Sequence, residues 1–164
     1  MQGKTVKESI VVTATVMGPQ DMNLAGNVFG GAIMKLIDTT AASVAVKHAR
    51  ANAVTASVDR LDFHHPVYLG DIVTCKASLN YVGKTSMEIG VRVEAENLIT
   101  GEVRHTASSY LTFVALDKSG KPMELPPLIP ETEEEKRRNG DAAFRRAERL
   151  RLREVKEKNR KASG

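Results

Sequence analysis

Three consecutive segments alternate apolar and polar residues and are separated by turns too short for anything but a reversal. Asp71 to Tyr81 sets Val73, Cys75, Ala77, Leu79 and Tyr81 against Thr74, Lys76, Ser78 and Asn80. Thr85 to Glu96 sets Met87, Ile89, Val91, Val93 and Ala95 against Glu88, Arg92, Glu94 and Glu96. Val103 to Leu116 is the third. The links are Val82-Gly83-Lys84 and Thr100-Gly101, so neighbouring segments must run antiparallel. Such a sheet has an apolar face that has to be covered. The cover is a helix over Gly31 to about Arg50, where Ile33, Ile37, Ala41, Val44 and His48 recur at helical spacing. Glu8 to Met17 and Ala53 to Phe63 read as two further strands, the latter ended by Pro66. The expectation is an α+β fold: about five antiparallel strands wrapped around one long helix, within residues 1–130.

The charge of the chain is divided. Residues 136–164 hold 12 Lys/Arg and 4 Asp/Glu, whereas residues 1–135 hold 12 basic and 16 acidic residues, so the net charge of +4 belongs to the tail. Aromatic residues make up 4% and Trp is absent, which with the acidic body disfavours nucleic acid as a partner. The lone Cys75 excludes an internal disulfide and fits a reducing, cytoplasmic setting; it lies on the apolar side of its strand, as a buried thiol does. No segment reads as a secretion signal or a membrane span.

Pro122, Pro126, Pro127 and Pro130 mark a connector, and Thr132 with Glu135 reads as a capping box opening a charged helical extension, residues 131–164. Glu154/Lys158 and Glu157/Lys161 are i,i+4 pairs. Asn139-Gly140 is a candidate break. Phe144, Ala147, Leu150 and Val155 form a thin apolar stripe, and the expectation is a solvated helix; the alternatives, in order, are docking on a neighbouring subunit, charge lent to a bound anionic ligand, and weak nucleic-acid binding.

The chemistry is concentrated near the first helix. Asn23-Leu24-Ala25-Gly26-Asn27-Val28-Phe29-Gly30-Gly31 leads straight into it, and Asp38 sits two turns inside on an apolar run. A helix N-terminus offers free N–H groups to an anion or a developing oxyanion. Gly30 and Gly31 would let a substrate carbonyl approach those groups. Asp38 is the candidate base or nucleophile. Asn23 is a candidate for orienting water or the reacting group, and equally a turn residue. Lys84-Thr85-Ser86, at a hairpin, suits phosphate binding or a plain polar turn. His64 and His65 precede Pro66, and His64 is the second candidate base. No His/Cys/Asp set has metal-ligand spacing, and no Gly-x-Ser-x-Gly is present.

Taken in order, several motifs resemble the brain-type and bacterial acyl-CoA hydrolases of the hotdog fold. They are Asn23-x-x-Gly26-Asn27-Val28-Phe29-Gly30-Gly31, Met34-x-x-x-Asp38, Thr55-Ala56-Ser57-Val58-Asp59, Phe63-His64-x-Pro66-Val67, Gly70-Asp71, Lys84-Thr85-Ser86-Met87-Glu88 and Pro127-x-Ile129-Pro130-Glu131-Thr132-Glu133. The resemblance spans roughly residues 8–138. It implies a sheet wrapped around a central helix, sites formed between paired domains, and hydrolysis of acyl-CoA to free acid and CoA. It also implies Asp38 and Asn23 as catalytic residues, a dimer as the minimal unit and a trimer of dimers as the assembly. No cofactor is expected, CoA being part of substrate and product. Other readings on the same fold are an acyl-CoA-binding regulator, an acyl-carrier-protein thioesterase, and a dehydratase, for which His64 would matter.

Overall fold

The fold is that of a computed structural model and is described for residues 1–162. In chain order the elements are β1 (Lys4–Thr5), β2 (Val11–Val16), α1 (Gly30–Ala49), β3 (Asn52–Val58), β4 (Asp62–Phe63), β5 (Ile72–Val82), β6 (Ser86–Glu96), β7 (Val103–Leu116), β8 (Leu128–Ile129) and α2 (Glu133–Ala162). The main sheet runs β2-β5-β6-β7-β3, antiparallel throughout, with β4 also pairing to β7. The five long strands curl around α1, which touches all of them. β1 and β8 form a separate parallel pair that ties the start of the chain to the proline connector.

The inner layer follows from the alternation. Val73, Cys75, Ala77, Leu79, Met87, Ile89, Val91, Val93 and Ala95 are buried, and opposite them lie Ile33, Ile37, Ala41 and Val44 of α1. Removing this apolar area from water is the main drive for the fold. α1 ends where Arg50 turns left-handed (φ 53°), its N–H still donating to Val46 O. His48 is buried at that end, and its Nε2–H donates to Pro126 O at 2.8 Å. The proline segment therefore packs on the body instead of running free, and Leu125 within it is buried.

α2 corrects the expectation of a solvated helix, and the candidate break within it is not used. It passes through Asn139-Gly140 without interruption, and its first half lies on the outer face of the sheet. The expected capping box is present: Glu135 N–H donates to Thr132 Oγ1, and Thr132 N–H to Glu135 Oε2. The docked side, however, is not the apolar stripe. Phe144, Leu150 and Val155 are 68%, 42% and 44% exposed, whereas Ala142 is fully buried and Arg145 and Arg149 reach down to the sheet. The reason is Glu88 of β6, only 2% exposed on the outer face. Arg145 Nη2 donates to its Oε1 at 2.7 Å, and Arg149 Nη1 donates to its Oε2 at 3.1 Å. Arg149 also holds Asp59 at 2.7 Å. A buried carboxylate must be paired, and the arginines do this. Other ion pairs on α2 are Arg137–Asp141, Arg138–Glu134, Lys136–Glu133 and Arg151–Glu148.

Three register slips interrupt the main sheet, one of them between Val93 and Glu94 where β6 meets β7. The register also slips between Leu79 and Tyr81, so Leu79 pairs with inward Ile89 while Tyr81 pairs with outward Glu88. Alternation places Tyr81 on the inner face; the bulge puts it outside, under Arg146. The third slip falls between Thr55 and Ser57. Thr55 stays level with Phe113, which faces α1, and Ser57 pairs with Thr112 on the other face.

Candidate active site

The glycine-rich loop folds on its own asparagine. Asn23 Oδ1 accepts from Ala25 N–H (2.9 Å) and Asn27 N–H (3.1 Å), and Asn23 N–H donates to Asn27 O (2.7 Å). The turn role of Asn23 is thus real and consumes its oxygen; the Nδ2 end is outside these bonds. Gly26 carries the positive φ of the loop (85°). Gly30 and Gly31 are not left-handed, and their need for glycine is steric. A Cβ on Gly31 would lie 2.7 Å from the Phe29 ring, and one on Gly30 would lie 3.3 Å from Phe63. Both are exposed at the first turn of α1, where N–H groups precede the helical ladder.

Asn23, Gly30, His64 and His65 line one recess of about 270 Å³. His64 stacks at 5.4 Å on His105, and His65 Nδ1 is 3.0 Å from His105 O. Burial holds the His105 imidazole below its ordinary range, with Arg92 acting in the same direction.

Asp38 is elsewhere. It is half-buried on the open side of α1, at the end of a groove of about 810 Å³ that runs past Thr39, Ala42, Ser43 and Val46 to Arg50. Its Oδ1 accepts a hydrogen bond from Thr55 Oγ1 at 2.7 Å. Thr55 is the functional candidate that residue-by-residue reading passed over. It is one hydroxyl on an edge strand, and the signal that could have found it was its place at the head of Thr55-Ala56-Ser57-Val58-Asp59. Asp38 lies eight residues beyond Gly30, about 12 Å along the helix axis. Within one copy the carboxylate and the N–H groups therefore face separate openings.

Lys84, Thr85 and Ser86 are divided too. Lys84 Nζ pairs with Glu124 at 3.3 Å, both side chains largely exposed. Thr85 supplies its carbonyl to Ala115 N–H. Ser86 turns to the outer face and lines a small recess beneath α2. Among the described residues no group of three or more His, Cys, Asp or Glu could hold a metal ion, and no helix is long and apolar enough to cross a membrane.

This arrangement has counterparts. The sequence model of the thioesterase superfamily matches residues 25–102. A Bacillus subtilis protein named as an uncharacterized acyl-CoA thioester hydrolase is 46% identical over 129 residues, 79% of this chain and 75% of that one. The cytosolic acyl coenzyme A thioester hydrolase of Mus musculus is 42% identical over 75% of this chain, which spans only 33% of the mouse protein. Among solved structures, an apo-hexameric acyl-CoA thioesterase superposes with a TM-score of 0.89 at 41% identity, covering 93% of this chain and 97% of that one. The acyl-CoA hydrolase of Staphylococcus aureus in complex with butyryl-CoA, CoA and CoA disulfide gives 0.84 at 40% identity, covering 95% and 94%. That hydrolase has also been solved as alanine variants of an asparagine, an aspartate and a threonine that follow one another at intervals of 15 and 17 residues. The curled sheet around one helix is accordingly the hotdog fold, and the chain belongs to the acyl-CoA thioester hydrolases of the thioesterase superfamily.

Proposed function

We propose that Asp38 is the general base for hydrolysis of acyl-CoA, and that it works on a thioester held at the glycine turn of a partner subunit. The observation that carries the reading is the Asp38–Thr55 hydrogen bond, which fixes one carboxylate oxygen and leaves the other free for water. Asn23, Asp38 and Thr55 stand at the intervals of 15 and 17 residues shared with the three substituted positions of the Staphylococcus aureus hydrolase. A base and its oxyanion donors must each lie about 3 Å from the reacting atoms. Separation by about 12 Å within one copy argues for assembly of the site from two. β3, the exposed edge beside Asp38, is the strand whose pairing with a second copy would do this. A trimer of such dimers accords with the hexameric relative.

Water loses a proton to Asp38 and adds to the thioester carbonyl. The oxyanion is held by N–H groups at Gly30 and Gly31, with Asn23 Nδ2 orienting the reactants. Collapse breaks the C–S bond, and the proton from Asp38 goes to the CoA thiolate. Lys84, Thr85 and Ser86 remain the proposed contacts for CoA phosphates.

Asp38→Asn keeps shape and removes the base, so kcat falls by at least about 10²-fold while CoA affinity measured by calorimetry holds. Near wild-type turnover would overturn the reading and pass the role to His64. Mixing Asp38→Asn chains with Asn23→Ala chains restores part of the activity, because one of the two composite sites in a mixed dimer is intact.

A further inference from the structure

Only one side of α2 is used by the body. Ala142, Arg145 and Arg149 face the sheet, and a helix turns about 100° per residue, so Phe144, Glu148, Arg151 and Val155 lie on the far side. Phe144 is the most exposed aromatic side chain among the described residues, at 68%, and every residue from Leu150 to Ala162 is exposed.

The far side has a period of its own. Asp141, Phe144, Glu148, Arg151, Val155 and Lys158 follow one another at alternating intervals of three and four, the a and d positions of a coiled-coil seam. Such a seam pairs with another helix, and its order says which. Lay it antiparallel on a copy of itself, about a two-fold axis between Arg149 and Leu150. Asp141 then meets Lys158 of the partner subunit, Phe144 meets the partner's Val155, and Glu148 meets the partner's Arg151. Each meeting occurs twice, every one sets an a position against a d position, and none joins like charges. A parallel pair would instead set Glu148 on Glu148 and Arg151 on Arg151.

Within one copy these charges are satisfied along the helix, Arg137 with Asp141 at 3.1 Å and Arg151 with Glu148 at 3.0 Å. Exposed pairs of this kind are worth little and leave the side chains free to take a partner. Phe144 and Val155 have no such substitute: 68% and 44% exposed, they gain only by being covered. The mixed signs also select the occupant. An anionic lipid surface or a nucleic acid attracts one sign only, and Asp141 and Glu148 would face it.

We propose that the outward face of α2 is a docking surface for the α2 of a second copy of this chain, running antiparallel, with Phe144 and Val155 as its apolar anchors. It differs from the exposed edge of β3, so it adds a second two-fold contact to the chain. It stands on α2 alone and does not depend on the acyl-CoA reading.

Cysteine cross-linking tests it in the full chain, whose one native thiol, Cys75, is buried. Phe144→Cys/Val155→Cys sets two thiols against two on a second copy, and copper–phenanthroline oxidation at micromolar protein gives a disulfide-linked dimer on a non-reducing gel. Each single variant holds its thiol about 17 Å along the axis from its own copy and stays unlinked over the same time. Adding Glu148→Arg to the double-cysteine variant puts like charges across the axis and slows linkage at least about tenfold; Glu148→Arg/Arg151→Glu restores it. These side chains face away from the sheet, and circular dichroism of each variant checks that the fold is kept. No linkage in the double variant, a rate indifferent to the charge swap, or single variants that link as fast as the double one overturns the proposal. Vesicles of phosphatidylglycerol probe the other occupant: flotation of the wild-type chain with them, lost in Phe144→Glu, would assign the face to a lipid surface and overturn the pairing.

Discussion

The two faces of the sheet are built from the same strands and held by different physics. On the inner face Leu79, Met87, Ile89, Val93 and Phe113 close on Ile33, Ile37 and Val44 with no charged group between them. That contact is non-directional and grows with the area buried. On the outer face Glu88 is clamped by Arg145 and Arg149, Asn80 Nδ2 donates to Glu88, Asn139 Nδ2 donates to Asn80 O, and Arg145 stacks at 3.8 Å on Tyr110. Buried ion pairs come close to break-even against apolar packing but admit few geometries. The inner face therefore supplies stability, and the outer face supplies position: it sets α2 at one angle and one register, with Arg146 over Gly83.

The sharpest way to break this contrast is Ile37→Ala, which opens a cavity in the inner layer and costs about 2–5 kcal/mol, read from the urea midpoint. A loss below about 1 kcal/mol would mean that the inner face is not the seat of stability. Arg145→Ala/Arg149→Ala comes next. An uncompensated buried charge costs about 3–5 kcal/mol, but α2 can lift away and return Glu88 to water. The loss is thus expected not to exceed that of the chain truncated after Asn139, whose body is expected to stay folded. Hydrogen exchange should show α2 amides losing protection while those of α1 keep it.

A smaller effect tests the buried polar end of the inner layer. Burial holds the His48 imidazole below its ordinary range; the nearby Lys4 acts the same way, while the bond to Pro126 O and Glu8 oppose it. His48 Nδ1 has no hydrogen-bond partner among the described residues. As pH falls below about 6.5 the unfolded chain takes up a proton that the folded chain refuses. Stability then declines by at most about 1.4 kcal/mol per pH unit and is fully present above that range. Melting of wild type and His48→Gln across pH 5–8 checks this; parallel curves would remove His48. Smallest of all is Lys84→Ala. Its ion pair with Glu124 joins two exposed side chains, so stability changes by less than about 0.5 kcal/mol, and any larger effect must be on KM.

The inner half of the molecule was legible in the sequence because burial there writes itself as period: Ile33, Ile37, Ala41, Val44 and His48 are all buried, as their spacing requires. Asp38 and the glycine turn stand out in the sequence as candidates, because a carboxylate on an apolar helix face and a run of glycines both need a reason. The outer half was not. Glu88 occupies an outward position in β6, where a carboxylate reads as solvated; nothing local says that a helix more than 50 residues later covers it. Tyr81 was misplaced because an extra residue in a strand leaves no mark on composition, only on register. The thin apolar stripe of α2 gave no sign of docking, since arginine stems can cover a sheet as well as aliphatic side chains do.

The bulge in β3 has a consequence for how the chain can vary in length. Thr55 and Ser57 face opposite layers because Ala56 is unpaired between them. Deleting Ala56 would leave Thr55 and Ser57 as plain alternating neighbours, still level with Phe113 and Thr112; adding a paired residue would instead carry Asp59 away from Arg149. Loops elsewhere absorb gained or lost residues at the surface. In this seven-residue strand the unpaired Ala56 has the same freedom, whereas the paired residues set the phase relation between the helix that carries Asp38 and the helix that carries the arginines.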